Sequence, residues 1–313
     1  MGKVSFFLQK EIWLYLNSKG KSPIRTDVCS AISSSEIHTD IPKEVFLDDD
    51  NLFQIWNDKG GNIEFDFGAK VENELESLSA TALSSMYLVD RDTEYCEVRS
   101  KTHGMVVLNK ELLDRNPKFF RLQDIYISKT RDTKYKKGWE EGELSSILGS
   151  RDCNAIIIVD PFICKDGNVY RMNENLVSLL KVLLPEKLSD ISFQISIFSK
   201  FDPSQGAKLY GDIYGMIEII RPNLKPKLTL YQTHEIHDRM IMSNTFMIEV
   251  GAGFALFKNG NPVNETKVLY WPYKKDDYYY RIKSAKKIDR NAYSNENLSS
   301  VWGDKENRLF DLV

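Results

Sequence analysis

A short apolar run at residues 154–163, NAIIIVDPFI, constrains the fold more than any other part of the sequence. It is hydrophobic at successive positions, so a strand formed by it presents apolar side chains on both faces. Strands of this kind lie at the centre of parallel sheets that helices cover on both sides. A Lys-Asp-Gly turn signal at 165–167 closes the run. The sequence therefore predicts a buried strand in an α/β sheet.

The residues around this run alternate between helix and strand patterns. The predicted elements are helices over 139–150, 173–185 and 205–220, strands over 191–200 and 227–234, and two short strands over 240–250 with a turn near Asn244. Strands that alternate with helices in this order are typical of an α/β layer. We therefore expect a mostly parallel sheet that is flanked by helices.

The first part of the chain mixes helix and strand patterns. The predicted elements are an amphipathic helix at 12–16 and strands over 62–70, 86–90, 104–110 and 120–129. A polar, basic stretch at 129–139 indicates a boundary. The predicted organisation is a mixed α+β N-terminal module of unassigned role over 1–138, an α/β domain over 139–272, and a basic, aromatic segment with a C-terminal tail over 273–313.

Composition excludes several classes of protein. The 42 basic and 45 acidic residues give a net charge of −3, which excludes a globally basic nucleic-acid binder and leaves only local patches. The four cysteines form no CxxC pair, which argues against a structural zinc site and a disulfide framework. No stretch approaches ~18 consecutive apolar residues, so we expect no membrane span. Lys10 and Glu11 interrupt the apolar start, which we interpret as a first helix rather than a signal peptide, in a cytoplasmic protein.

Two of the four histidines, His234 and His237, lie in the stretch HEIHDRMIMSNTFMIEVGAG at 234–253. A zinc-binding helix needs the spacing HExxH, which places both imidazoles on one helix face. Here the histidines are three positions apart in a predicted strand, where they point to opposite faces. We therefore expect no metal site and no cofactor. The sequence also lacks a GxSxG elbow, a phosphate-binding P-loop and a GxGxxG that opens a helix.

The spacing around His237 is more specific. His237, Arg239 and Asn244 follow H-x-R-x4-N, and Gly251-Ala252 comes six residues later. This pattern resembles the signature of the phospholipase D superfamily, H-x-K-x4-D followed by Gly-Ser. The stretch 139–258 is similar to the C-terminal domain of MIT-domain proteins and to bacterial relatives with a single His-Asp-Arg element. The matching pieces are Val159-Asp160-Pro161-Phe162, Asn173 to Asn175, His237-Asp238-Arg239 and Gly251-Ala252-Gly253.

The resemblance implies a site in which His237, Arg239 and Asn244 are catalytic. His237 would attack phosphorus, and Arg239, Gly251 and Gly253 would bind phosphate. Because the chain has one copy of the motif, an active site implies a homodimer or a larger complex with a protein partner. The replacements of lysine by Arg239, of aspartate by Asn244 and of serine by Ala252 favour phosphate binding over cleavage.

The resemblance thus implies recognition of phosphate groups, above all of nucleic acid, with phosphodiesterase (nuclease) activity, in bacterial defence or a mobile element. The alternative is a non-catalytic interaction module that binds anionic lipid or a protein partner. In that case Asp238 and Arg239 form a buried ion pair, and His237 is a core histidine.

A basic segment near the C-terminus bears on the ligand. Its cations, among Tyr278, Tyr279 and Tyr280, are Lys274, Lys275, Arg281, Lys283, Lys286, Lys287 and Arg290. Cations beside aromatic rings suit single-stranded nucleic acid. The alternative is an ordinary solvated helix or edge strand.

Overall fold

The structure is a computed structural model. It describes residues 5–32, 35–49, 54, 57, 65–67, 70–77, 85–116, 124–127, 152–164, 172–185, 188, 191–233, 239–250, 257–258, 261–262, 266–270, 276–294 and 301–313. Within these residues the strands are β1 (Ser5–Leu8), β2 (Glu36–Thr39), β3 (Phe65–Phe67), β4 (Met86–Leu88), β5 (Val106–Leu108), β6 (Asp124–Ile127), β7 (Ala155–Val159), β8 (Gln194–Ser199), β9 (Lys227–Gln232), β10 (Met240–Ser243), β11 (Phe246–Val250), β12 (Phe257–Lys258), β13 (Asn261–Pro262), β14 (Thr266–Tyr270) and β15 (Val301–Gly303).

The helices of the described residues complete the inventory. They are α1 (Lys10–Ser18), α2 (Pro23–Ile32), α3 (Lys43–Asp48), α4 (Val71–Ser77), α5 (Thr93–His103), α6 (Lys110–Arg115), α7 (Ser178–Leu183), α8 (Gly206–Ile220) and α9 (Asp276–Ser294), with a π-helix at Met172–Val177 and 3-10 turns at Pro203–Gln205 and Arg308–Leu312. None of these helices is long and apolar enough to cross a bilayer. The predicted helix over 139–150 lies outside the described residues.

The first sheet is built from the N-terminal module and has the strand order β3-β2-β1-β4-β5. All four of its strand pairs are parallel. The chain winds from the central β1 first to one side and then to the other, which is the doubly wound arrangement. Residues 5–8 form a strand and not the start of the first helix, because Phe6 and Leu8 pack on one face of the sheet while Phe7 packs on the other.

The second sheet has the order β15-β9-β8-β7-β10-β11-β14-β6. β7, β8 and β9 are parallel, and the remaining pairs are antiparallel. All five residues of β7 are buried, as the continuous apolar run predicts. The predicted α/β class, with sheets flanked by helices, is therefore confirmed, and the second sheet is mixed with a parallel centre.

Two segments join the second sheet across the predicted boundaries. β6 comes from the N-terminal module and pairs with β14. The predicted C-terminal tail contributes β15, which pairs with β9. Arg308 then lies buried at the start of the parallel strands and donates hydrogen bonds to the carbonyls of Asn154 and Ser192, at 3.2 and 3.0 Å. Burial lowers the pKa of this guanidinium to about 10. The described residues of the C-terminal segment therefore contribute to the core.

The two sheets share one apolar core. Phe6 and Leu8 of the first sheet belong to the same buried cluster as Ile157 and Val159 of the second, together with Tyr278 of α9. A second cluster lies under α7 and α8 on the other face of the second sheet, and a third lies under α4 and α5 on the outer face of the first. Each large apolar side chain buried in this way contributes about 1.5–3 kcal/mol, so the shared cluster holds the two sheets together.

Candidate functional site

The three parallel strands of the second sheet end at one edge, next to the motif residue Arg239. In an open α/β sheet this carboxyl edge is the usual place for a ligand. β10 runs antiparallel to β7 with Met240 opposite Val159, so Arg239, which directly precedes β10, lies at the same edge beside Asp160. The pairing register thus brings the Asp-Pro-Phe sequence and Arg239 together.

Asp160, Phe162 and Arg239 form the centre of this edge. Asp160 is fully buried, and its Oδ1 accepts a hydrogen bond from the backbone N–H of Phe162 at 2.6 Å. This bond tightens the turn that follows β7. The turn places the Phe162 ring 4.9 Å from the Arg239 guanidinium carbon, a cation–π distance. Arg239 is half-buried, and its guanidinium is a planar group with several N–H donors. Such a group can bind phosphate oxygens in pairs.

Backbone hydrogen bonds hold the neighbouring strand ends in place. The N–H of Thr233 donates to the carbonyl of Ser199 at 2.9 Å, which extends the parallel ladder beyond β8 and β9. The Ser199 hydroxyl accepts from the N–H of Cys164 at 3.1 Å. Burial raises the pKa of the Cys164 thiol to about 12, so the sulfur is protonated near neutral pH and is not a nucleophile.

Several predicted site residues lie outside the described residues. These are His234, His237, Asp238, Gly251, Gly253, Lys274 and Lys275. Their predicted catalytic, phosphate-binding and nucleic-acid-binding roles stay predictions. Among the residues that the structure describes, no group of three or more His, Cys, Asp or Glu side chains could hold a metal ion.

Asn244 lies at the other end of β10 from Arg239. They are five residues apart along an extended strand, which corresponds to roughly 16 Å. Asn244 is 3% exposed, and its Nδ2 donates to the carbonyl of Gly104 at 2.9 Å while its Oδ1 accepts from the N–H of Asn154 at 3.1 Å. The structure therefore does not bring Asn244 to the phosphate site predicted with Arg239. The side-chain amide of Asn244 instead links the start of β7, at Asn154, to Gly104 in the N-terminal module.

The predicted basic segment forms α9, and three of its cations line one side of the helix. Lys283, Lys287 and Arg290 follow Tyr280 at helical spacing, and all four side chains are exposed, Tyr280 at 62%. They border a surface groove of about 650 Å³. Within the described residues none of the three cations forms an ion pair. We call Tyr280, Lys283, Lys287 and Arg290 the α9 stripe.

Other members of the predicted basic, aromatic segment are structural. The Nζ of Lys286 donates to the carbonyl oxygens of Phe310 and Val313, at 2.6 and 2.7 Å, and so anchors the C-terminal segment. Tyr278 is fully buried, and its hydroxyl donates to the carbonyl of Ser243. Tyr279 is also buried, and Arg281 is half-buried. The tyrosine run therefore supplies core contacts at two positions and an exposed ring at one.

The carboxyl edge of the first sheet carries polar residues that sequence reasoning missed. Gln9 follows β1; its Oε1 accepts from the N–H of Asp90 at 2.5 Å, and its Nε2 donates to Glu72 at 3.3 Å. Asp40 follows β2 and accepts from the N–H of Lys10 at 2.7 Å; burial raises the pKa of its carboxyl. The polar residues directly after β1 and β2 were the available signal. Because the Gln9 side chain occupies the space between the ends of β1 and β4, this edge is a weaker candidate for a ligand site than the carboxyl edge of the second sheet.

Taken with the fold, these contacts define an α/β protein with a cationic surface on α9 and a half-buried arginine at a sheet edge. No family model and no curated protein matches the chain. Among solved structures it has a likeness to one described as "Structure of TrmBL2, an archaeal chromatin protein, shows a novel mode of DNA binding". The TM-score is 0.26 at 12% sequence identity, over 82% of this chain and 70% of that chain. At this TM-score the likeness does not establish a shared fold.

Proposed function

We propose that this protein recognises the phosphate groups of nucleic acid, and that it is a phospholipase D-like protein with phosphodiesterase activity at Arg239 and His237. The observation that carries the proposal is the α9 stripe. Three exposed cations in a row, unpaired within the described residues and bordering a groove, supply the charge that a phosphate backbone requires.

The spacing of the stripe suits a strand that runs along the helix. At a rise of about 1.5 Å per residue, Lys283 and Lys287 are about 6 Å apart along the axis, and Lys287 and Arg290 about 4.5 Å. Their long side chains can follow successive phosphates of one strand. Tyr280 offers a ring on which a base can stack, which favours single-stranded over duplex nucleic acid.

Arg239 supports the catalytic part of the proposal. It lies at the carboxyl edge, it is half-buried, and it is two residues after His237. A neutral imidazole can form a bond to phosphorus while the leaving alkoxide departs, and the arginine can hold the non-bridging oxygens. The leaving group needs a proton, which a second copy of His237 in a homodimer would supply.

The test is a titration of a fluorescent single-stranded oligonucleotide at several salt concentrations. We expect the variant Lys283→Ala/Lys287→Ala/Arg290→Ala to weaken binding and to reduce the salt slope by about 2, because each cation that neutralises a phosphate of a single strand accounts for ~0.7 of that slope. Lys208→Ala, an exposed lysine on α8, is the matched control and should leave the slope unchanged. Equal slopes for the triple variant and the wild type would contradict the proposed surface.

Hydrolysis is tested separately with the same oligonucleotide and with bis-p-nitrophenyl phosphate. We expect both His237→Ala and Arg239→Met to abolish turnover, while binding through the α9 stripe persists. If the wild type cleaves neither substrate, or if His237→Ala keeps full activity, the catalytic part is wrong although nucleic-acid binding can stand.

The second candidate function is a non-catalytic interaction module. It is favoured because the Asn244 side chain is buried and hydrogen-bonded to Gly104 and Asn154, away from Arg239. An exposed row of cations can also bind anionic lipid headgroups. Flotation with liposomes that contain phosphatidylserine distinguishes the two. Flotation that depends on the α9 stripe, together with no oligonucleotide binding, would replace the nucleic-acid proposal by this one.

A further inference from the structure

A cavity of about 230 Å³ lies between the module of the first sheet and the second sheet. One wall is β5 with α5 and α6, and the other includes Asp152 and Thr245, which flank the start of β7 and the β10–β11 turn. The volume equals that of roughly eight liquid waters, which suits a leucine-sized molecule rather than a nucleotide. Its lining includes neither Arg239 nor any residue of the α9 stripe.

The cavity has an apolar floor and two charges that lack an ion-pair partner within the described residues. Val106, Leu108 and Leu112 supply the floor. The charges are the carboxylate of Asp152 and the ammonium of Lys101, which act on each other electrostatically. The other charged side chains at the rim already neutralise one another, since Arg115 pairs with Glu97 at 3.4 Å. A carboxylate and an ammonium group above apolar side chains are complementary to a small zwitterion.

The wall formed by β5 cannot take an added peptide strand. β5 is an edge strand, and Val107 is the residue whose backbone groups would be open to pairing. The Ser100 hydroxyl occupies both: it donates to the carbonyl of Val107 at 3.2 Å and accepts from its N–H at 3.1 Å. Strand addition, the usual way to bind an extended peptide at a sheet edge, is therefore blocked. The cavity therefore suits a small molecule rather than an extended peptide.

We propose that this cavity binds an apolar amino acid. The α-ammonium group lies against Asp152, the α-carboxylate faces Lys101, and the side chain packs on Val106, Leu108 and Leu112. The ionised carboxylate is needed for the contact with the ammonium group. This site is independent of nucleic-acid recognition and goes beyond it.

The experiment is isothermal titration calorimetry of the full chain with L-leucine and L-phenylalanine, in parallel with two analogues of leucine. N-acetyl-L-leucine lacks the ammonium, and isopentylamine lacks the carboxylate. We expect saturable binding of an amino acid and at least about tenfold weaker binding of both analogues, because each analogue cannot form one of the two charge-assisted hydrogen bonds.

Variants then assign the contacts. Asp152→Asn keeps the shape of the side chain and should weaken amino-acid binding about tenfold, and Lys101→Met should act similarly. Glu218→Gln, an exposed carboxylate on α8, is the control and should change nothing. Thermal unfolding confirms that each variant is folded. No saturable binding of any apolar amino acid, isopentylamine that binds as tightly as leucine, or a folded Asp152→Asn variant with unchanged affinity would each overturn the proposal.

Discussion

Asn244 and Gly104 lie 140 positions apart in the sequence, and the side-chain amide of Asn244 donates to the carbonyl of Gly104 at 2.9 Å. A second amide reinforces this contact, since Asn154 Nδ2 donates to the carbonyl of His103 at 2.9 Å. These bonds are buried where the two modules meet. Asn244, which the motif pattern predicts to be catalytic, therefore links the N-terminal module to the second sheet through hydrogen bonds.

Replacing Asn244 should destabilise the protein. Asn244→Ala leaves the N–H of Asn154 and the carbonyl of Gly104 without these partners, and we expect a loss of about 2 kcal/mol or more. Asn244→Asp, which restores the aspartate of the phospholipase D signature, cannot donate to Gly104 while ionised and should also destabilise. Chemical denaturation measures both. Asn223→Ala, in an exposed turn, is the control, and equal stability losses at the two positions would contradict the role of Asn244.

Gly104 and Gly20 offer a matched pair at the same backbone conformation. Both have φ of +58°, which costs a side chain about 1 kcal/mol. A Cβ at Gly104 would lie 2.3 Å from the carbonyl oxygen of Cys153, whereas a Cβ at Gly20 meets nothing within 4 Å. We therefore expect Gly104→Ala to destabilise the protein by about 1–3 kcal/mol more than Gly20→Ala. Denaturation midpoints compare them, and equal losses would mean that the close approach has no energetic consequence.

Lys286 and Lys283 are three residues apart on α9 and should behave differently. Lys286→Met removes two hydrogen bonds from an ammonium group to the C-terminal segment, and we expect about 1–3 kcal/mol of destabilisation with little change in nucleic-acid affinity. Lys283→Met should weaken oligonucleotide binding and leave stability within about 0.5 kcal/mol. Thermal unfolding and anisotropy titrations of both variants provide the measurement. The reverse result would show that the helix faces are wrongly assigned.

The parts of the fold that depend on local patterns were predictable. The apolar run at 154–163 predicts the buried β7, and the patterns over 205–220 and 240–250 predict α8 and the β10–β11 hairpin with its turn at Asn244. Each of these segments shows a clear hydrophobic period or a continuous apolar run. The local pattern therefore determines the secondary structure, and tertiary contacts do not change it.

The parts that depend on distant contacts were not predictable. Ser5–Leu8 has only four residues, too few for a period, and its strand identity comes from pairing with β2 and β4 on both sides. The roles of Asn244 and Lys286 depend on carbonyl groups far along the chain, which no local pattern encodes. The sequence did not predict that Arg239 lies beside Phe162; the pairing register of β10 with β7 establishes this position.

Asp152 should make the stability of the protein depend on pH in an unusual direction. Burial in the cavity wall raises the pKa of its carboxyl to about 6, from an ordinary value of 3.8, and Lys101 offsets this only in part. Between these two values the folded state binds the proton and the unfolded state does not. The contribution of Asp152 to stability therefore falls as the pH rises from about 4 to about 6 and is constant above that range.

Asp152→Asn removes this titration and should be more stable than the wild type at neutral pH, by on the order of 1–3 kcal/mol. Near pH 4 the two proteins should differ little, because both carry an uncharged group at this position. Urea denaturation at several pH values measures the difference in unfolding free energy between the two proteins.

The exposed Asp202 is the control with the opposite sign. Its contact with the N–H of Ser204 lowers the pKa of its carboxyl, so Asp202→Asn should not stabilise the protein at neutral pH. If Asp152→Asn gains stability and yet loses amino-acid affinity, Asp152 is retained for binding at a cost to folding; a variant destabilised at neutral pH would show instead that the carboxylate holds the junction together.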